Sequence, residues 1–344
     1  MNLKLKRLSD QVIVITGASS GIGLVTARMA ANRGARVVLN ARNEEALRRV
    51  TEDINASGVK ASYVVGDVAR LQDVQRIASE ASTRFGGFDT WVNNAGVSIY
   101  GHMLDQSLED QRRLFDTNYW GVVHGSMVAC AHLRERGGAL INVGSVLSDV
   151  AIPIQGTYCA SKHAVKGYTD ALRMELEEEG APISVTLIKP SAIDTPYTRH
   201  AKNLMPVEPM SPPPVYAPET VAEAILHCAE NPERDVTVGG GGKVLAEAGS
   251  LVPQLTDKVI GAMMFDVQKS DQPRPANRDD SLYTPSADGE ERGDYPGHVM
   301  ESSIYTKATL HPILAGSLIA GLGLAAWASW RSLSGNSNSN EKSH

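Results

Sequence analysis

A chain of 344 residues with 42% hydrophobic and 21% charged residues has an ordinary globular composition and can bury one large core or two modest ones. Its net charge of -6, with no basic stripe interleaved with aromatics, argues against a nucleic-acid partner. Three cysteines, Cys130, Cys159 and Cys228, lack CxxC spacing, fit neither a disulfide framework nor a zinc site, and read as reduced thiols. The N-terminal MNLKLKRLSDQ is basic but has no apolar run of a secretory signal, so the main domain is expected to face the cytoplasm.

Short apolar runs alternate with helical patterns along the first two thirds. QVIVITG (11–17) reads as a buried strand, SGIGLVTARMAANRG (20–34) as a helix stopped by Gly34, and ARVVLNAR (35–42) as the next strand. A helix opens at Asn43 as N-cap with acids in its first turn. SYVVGDV (62–68) is a third strand, followed by a helix over 71–85. FDTWVNNAG (88–96), GALINVGS (138–145), PISVTLIKP (182–190) and DVTVGG (235–240) supply four more strands. Strands alternating with helices imply a parallel sheet covered on both faces, a Rossmann-type α/β fold over residues 1–240.

Three later segments differ. MPVEPMSPPPVYAPE (205–219) is proline-rich and reads as an extended loop. Residues 241–270 carry helical stretches, and Leu251, Leu255, Val259 and Met263 recur at helical spacing, read as a core-packed face in preference to an interfacial one. Residues 271–308 are polar, acidic and turn-rich, the composition of a linker or disordered tether. Residues 309–330 include LHPILAGSLIAGLGLAAWASW, which holds no Asp, Glu, Lys or Arg and has Trp327 and Trp330 near one end. A single transmembrane helix is expected there, followed by a polar tail at 331–344, with a buried soluble helix as the alternative. That reading places the protein at a membrane, catalytic domain on the cytoplasmic side.

TGASSGIG, from Thr16 through Gly17, Ser19, Ser20, Gly21 and Ile22 to Gly23, follows a strand and opens a helix. In that context the glycines permit a tight turn and close approach of backbone to a pyrophosphate at the helix N-terminus. The next strand ends in Asn40, Ala41 and Arg42 with no acid, so Arg42 is expected to pair with a 2′-phosphate and NADP(H) is preferred over NAD(H). Further on, TYCASK places Tyr158 and Lys162 one helical turn apart on a shared face. A nearby ammonium would stabilise the phenolate and lower a pKa that is otherwise near 10.

With TGASSGIG, NNAG (93–96) and YCASK in this order, the chain resembles the short-chain dehydrogenase/reductase family in its compact form. The resemblance covers about residues 8–240 and implies a sheet of about seven strands. It implies catalytic roles for Asn118, Ser145, Tyr158 and Lys162. It further implies cofactor contacts from Asp67 and Val68 in GDV, from Asn94, Ala95 and Gly96, from Pro190, Ile193 and Thr195, and from the tyrosine and lysine themselves. The family's Pro-Gly after the sixth strand is Pro190-Ser191 here. On this reading Ser145 holds a substrate oxygen near Tyr158, Asn118 holds a water linking Lys162 to solvent, and no metal is required. His163 and Cys159 are read as packing or surface residues.

The implied function is interconversion of a ketone or aldehyde with an alcohol by hydride transfer. The substrate is expected to be small or lipid-like, and a membrane anchor, which would let the site sample the bilayer, motivates the lipid-like or steroid-like option. Residues 195–218 would form a mobile substrate lid, with Met205, Val207, Met210 and Tyr216 covering the ligand. The alternatives are a membrane-tethered NADP(H)-binding sensor or scaffold with little turnover, and an epimerase or dehydratase on a nucleotide sugar, which lacks its second substrate domain here. Family members often pair through the helices around YCASK and DTNYWG, which implies a homo-oligomer.

Overall fold

The computed structural model describes residues 3–285 and 289–311. One sheet holds β1 (Val12–Thr16), β2 (Arg36–Ala41), β3 (Ala61–Val65), β4 (Thr90–Asn93), β5 (Gly138–Val143), β6 (Ile183–Pro190) and β7 (Asp235–Val238). Their order is β3-β2-β1-β4-β5-β6-β7 and every pairing is parallel. This is the expected Rossmann-type sheet. The order reverses between β1 and β4, and open α/β sheets hold ligands in the crevice beyond the strand ends at such a reversal.

The helices are α1 (Gly21–Asn32), α2 (Glu44–Ala56), α3 (Leu71–Phe85), α4 (Leu108–Phe115), α5 (Gly121–Arg136), α6 (Gly156–Glu178), α7 (Tyr197–His200) and α8 (Pro218–Glu230). Successive strand residues point to opposite faces, and β1 shows what that does. Ile13 and Ile15 join a core with Leu24, Ala27, Leu47 and Ile225 of α1, α2 and α8. Val12 and Val14 join a second core with Val74 and Ile77 of α3 and Ala129 and Leu133 of α5. All five β1 residues are buried, which is why its sequence is a continuous apolar run. Local signals act as read: the Asn43 side chain accepts from the Ala46 N–H at 2.9 Å, and Gly34 takes a φ of 87° where the chain leaves α1.

The C-terminal third departs from expectation. A helical hairpin, α9 (Gly240–Leu251) and α10 (Pro253–Val267), follows β7. Its Leu251, Leu255, Val259 and Met263 are 78%, 62%, 47% and 54% exposed, so the stripe read as core faces outward. The other side of the hairpin, with Leu245, Ile260 and Met264, packs on Val150, Ile152 and Cys159. Helical spacing reports a shared face; it does not report which of two faces a neighbour covers.

The segment read as a tether is instead packed against the domain. Lys269–Pro273 pairs antiparallel with Val207–Pro209, and Val299–Met300 pairs with Val215–Tyr216, which in turn pairs with Ala192–Ile193. Arg278 Nε donates to both Glu208 carboxylate oxygens at 3.0 and 2.9 Å while its other nitrogens donate to the Ala201 and Thr198 carbonyls, and Arg292 pairs with Glu219 and Glu301. Leu282 is wholly buried among Val97, Ile99 and Leu114. The strap carries few apolar residues because arginine side chains and backbone carbonyls hold it. Residues 304–310 form α11 (Ile304–Leu310), with Leu310 in the main core. The expected membrane span therefore loses its first residues to the folded domain, and its remainder, 312–330, lies outside the described residues. Among the described residues no helix is long and apolar enough to cross a membrane.

Candidate active site

A cavity of about 450 Å³ opens at the C-terminal ends of β1, β4, β5 and β6. At one end lie Gly17, Ser19, Ser20, Gly21 and Ile22. Gly17 and Gly21 have φ of 66° and 49°, a conformation that L side chains rarely adopt. Thr16 and Gly23 do not border the cavity; they build its floor. The Thr16 hydroxyl accepts from the Asn94 and Ala95 N–H groups at 3.0 and 3.2 Å, which ties the turn to the end of β4. A Cβ on Gly23 would lie 2.1 Å from the Gly17 carbonyl oxygen, so this glycine serves helix-to-loop packing and not ligand approach. The Asn94 amide donates to the Thr16 and Gly17 carbonyls at 3.0 and 3.1 Å.

Along the cavity, Asn40, Arg42, Asn43, Asp67 and Val68 form the wall beyond β2 and β3. Asp67 accepts from Arg113 at 2.6 Å. The Arg42 guanidinium donates to the backbone carbonyls of Ser281, Leu282 and Tyr283, so the strap crosses this end of the cavity. The strap also reaches the glycine turn, where the Glu290 carbonyl accepts from the Gly21 N–H at 2.9 Å. Among the described residues, Asn40 Oδ1 and Thr117 Oγ1 are buried polar atoms without a protein partner, and both residues line the cavity. Positive-φ glycines, an arginine and two orphaned polar atoms along one elongated cleft fit an extended, phosphate-bearing dinucleotide.

At the other end, Ser145, Tyr158 and Lys162 share the wall, brought there by the end of β5 and the first turns of α6. The Ser145 hydroxyl accepts from the Leu147 N–H at 3.0 Å and donates weakly to the Pro190 carbonyl at 3.5 Å, on the wall it shares with Tyr158. The Lys162 ammonium lies 5.6 Å from the Tyr158 ring centre and donates to the Val143 carbonyl at 2.8 Å. Burial pushes the Tyr158 hydroxyl up to about 12, opposed by the hydroxyls of Ser145 and Tyr197. Burial pulls Lys162 down to about 8. Within the protein itself desolvation is the larger effect on Tyr158, and the groups that oppose it are two hydroxyls.

Asn118 sits outside the cavity wall, in a π-turn (116–120) between α4 and α5. Its side chain accepts from the Val97 N–H at 2.8 Å and donates to the Val97 carbonyl and the Ser161 hydroxyl. It braces the chain leaving β4. A widened turn of this kind is common at functional sites. Gly96, Pro190, Ile193 and Thr195 border the cavity beside the tyrosine. Cys159 is buried against Ile152, and His163 bonds the Cys159 carbonyl, so neither faces the reacting end. All three cysteines are buried and free. Among the described residues no three His, Cys, Asp or Glu side chains converge as metal ligands would.

The wall facing Tyr158 was only partly legible. Met205, Val207, Met210 and Tyr216 do not border the cavity; Met205 packs with Tyr100 and Ile154, and Tyr216 joins the main core. The loop instead contributes Pro196, Tyr197, His200 and 211–214. Val146, Leu147, Ile152, Leu245 and Met264 complete an apolar surround. Tyr197 was missed, although it follows Thr195 by two residues; its ring lies 5.6 Å from that of Tyr158 in an edge-on arrangement.

Comparison with known proteins agrees with this geometry. The family model described as short chain dehydrogenase matches residues 11–204. The "Uncharacterized oxidoreductase YxnA" of Bacillus subtilis is 50% identical over 329 residues, 95% of this chain and 92% of that one. A short-chain type dehydrogenase/reductase from Mycobacterium marinum superposes with a TM-score of 0.61 at 30% identity, over 69% of this chain and 96% of that one. A short chain dehydrogenase from Burkholderia cenocepacia, solved in complex with NADP, superposes with a TM-score of 0.63 at 26% identity, over 74% and 99%.

Proposed function

The chain belongs to the short-chain dehydrogenase family of oxidoreductases, and from that premise we propose that it interconverts an apolar ketone or aldehyde and its alcohol with NADP(H). The observation that carries the reading is the convergence of Ser145, Tyr158 and the Lys162 ammonium on one wall of a cleft that runs to the α1 N-terminus and Arg42. When bound there, a nicotinamide dinucleotide supplies or accepts the hydride. Gly17, Ser19, Ser20, Gly21 and Ile22 would hold its phosphates, Asp67 and Val68 its adenine end, and Ile193 and Thr195 its reacting ring. Arg42 would meet a 2′-phosphate by turning from the strap carbonyls it now holds, and the NADP found on the Burkholderia relative supports that choice.

Tyr158 gives its proton to the substrate oxygen in reduction and takes it back in oxidation. Ser145 donates a hydrogen bond to the same oxygen and keeps it within reach. Lys162, fixed on the Val143 carbonyl, places a positive charge beside the phenolate that forms. The apolar surround of Val146, Leu147, Ile152, Leu245 and Met264 selects a bulky apolar substrate and excludes water. Exposed Trp120 and Met127, beside and on α5, and Met174 on α6 support pairing of two copies, which light scattering would test.

A membrane anchor within 312–330 remains part of the proposal. Membrane fractionation of the full chain beside one ending at His311 tests it, and equal solubility of the two would count against it. For the reaction, NADPH and NADH oxidation by the full chain would be followed against carbonyls from small aldehydes to steroid-like ketones, with Tyr158→Phe beside the parent. NADPH-dependent turnover lost in Tyr158→Phe supports the reading. Tight NADPH binding without turnover on any of them would favour the sensor function instead.

A further inference from the structure

Behind Tyr158 runs a chain of buried side chains that ends on the C-terminal extension. The Tyr197 ring meets that of Tyr158 edge-on, with centres 5.6 Å apart, and the two hydroxyls lie near enough to influence each other's proton. The Tyr197 hydroxyl donates to Gln155 Oε1 at 3.0 Å. Gln155 Nε2 donates to Gln268 Oε1 at 2.7 Å. Gln268 Nε2 donates to the Met264 and Pro153 carbonyls at 2.7 and 3.0 Å. Gln155 is 4% exposed and Gln268 is wholly buried.

The direction of this chain is fixed from its far end. A backbone carbonyl can only accept, so Gln268 must turn Nε2 toward Met264 and Pro153. Its Oε1 then faces Gln155, which must offer Nε2 in return. Gln155 is left with Oε1 toward Tyr197, and there it can only accept. Each amide orientation follows from the one before it, and the Tyr197 proton always has an acceptor on the side away from Tyr158.

We propose that Tyr197, held by Gln155 and Gln268, is a positioning residue that fixes the Tyr158 oxygen and donates to it once it becomes a phenolate. The proposal rests on Tyr158 as the acid and base of the reaction. In reduction the Tyr158 O–H bond breaks and its proton joins the substrate oxygen, while a nicotinamide hydride reaches the carbonyl carbon. The electron pair stays on the Tyr158 oxygen. The Tyr197 O–H bond is not broken; it rotates from Gln155 Oε1 to the phenolate, and rotates back when Tyr158 is reprotonated. Gln268 lies at the end of α10, beyond the last strand of the sheet, so the extension completes the active site.

The test needs no physiological substrate. Full-length protein saturated with NADP⁺ would be titrated by ultraviolet phenolate absorbance, and the Tyr158→Phe trace subtracted to isolate Tyr158. Tyr197→Phe should raise the midpoint by about one pH unit, the loss of one hydrogen bond to the charged form. Gln268→Leu should raise it by less, because it loosens Gln155 without removing the donor. Thermal melts would show that both variants are folded; if Gln268→Leu is not, Tyr197→Phe alone decides. An unmoved midpoint in folded Tyr197→Phe overturns the proposal and leaves Tyr158 in its role. No Tyr158 signal up to about pH 11 in the parent would overturn both.

Discussion

Leu282→Ala distinguishes a packed strap from the tether that composition suggests. The side chain is wholly buried and touches the cluster of Val97, Ile99 and Leu114, beneath the backbone carbonyls that hold Arg42 and Arg113. Truncating a buried leucine costs about 2–5 kcal/mol, the transfer of its methyl groups plus the cavity left behind. The Arg292 pairs with Glu219 and Glu301 are partly exposed and each adds about 1 kcal/mol or less, and the more buried Arg278–Glu208 pair offsets its attraction with the cost of desolvation, so ion pairs do not hold the strap alone. A loss of about 3 kcal/mol would lower Tm by roughly 6–12 °C in a domain of this size, or free the strap locally before the sheet unfolds. Thermal melts of the full chain, paired with limited proteolysis over 269–303, read both outcomes. Proteolysis of the variant within the strap at temperatures where the parent resists is expected, together with weaker NADPH binding. A change below about 0.5 kcal/mol with no new cleavage would refute the packing argument, since exposed tether residues give changes of that size.

Tyr158→Phe should lower turnover by about 10²–10⁴-fold and leave NADPH affinity nearly unchanged, as measured by stopped-flow turnover and fluorescence titration. Arg42→Ala should weaken NADPH more than NADH by about tenfold or more, the value of a charge-assisted bond to a 2′-phosphate; equal losses for the two cofactors would sink the assignment. Lys162→Met tests the buried charge. The folded pKa near 8 lies below the ordinary 10.5, so the unfolded chain binds more protons between those values and stability rises with pH through that window. The cost is fully present below pH 8 and amounts to about 3 kcal/mol from the two pKa values. Denaturant unfolding of Lys162→Met should show that slope removed and a gain of up to about 3 kcal/mol at neutral pH, lessened by the lost bond to Val143, with turnover abolished.

The sheet was legible because each strand is a short apolar run closed by glycine, proline or a charged turn, and β1 to β7 need no long-range information to be seen. The reacting end was legible through short spacings: Tyr158 and Lys162 lie one turn apart, and Gly17 and Gly21 lie within one loop. What the sequence concealed is long-range. Gln155 and Gln268 are 113 positions apart, and nothing local marks either as the other's partner. The strap carries few apolar residues, so hydrophobic patterning gave no sign that Leu282 is buried or that Arg42 would be met by three carbonyls. Gly23 belongs to the motif but packs on the Gly17 carbonyl instead of lining the cavity, because a motif fixes a residue's place and not which neighbour it faces.

Burial drives Tyr158 and Lys162 the same way, each toward its neutral form. Left to desolvation, the site would hold a neutral phenol and a weakly basic amine, a poor arrangement for trading protons near neutrality. The groups that oppose this come from separate parts of the chain: Ser145 from the end of β5, the Val143 carbonyl beneath Lys162, and Tyr197 from the loop after β6, braced by the extension. A positive nicotinamide would add to them only when bound. The charged pair should therefore become favourable only in the assembled, loaded site, which couples acid–base competence to cofactor occupancy. On this view the strap and the extension belong to the chemistry: one crosses the cofactor cleft, and the other holds the donor that a phenolate requires.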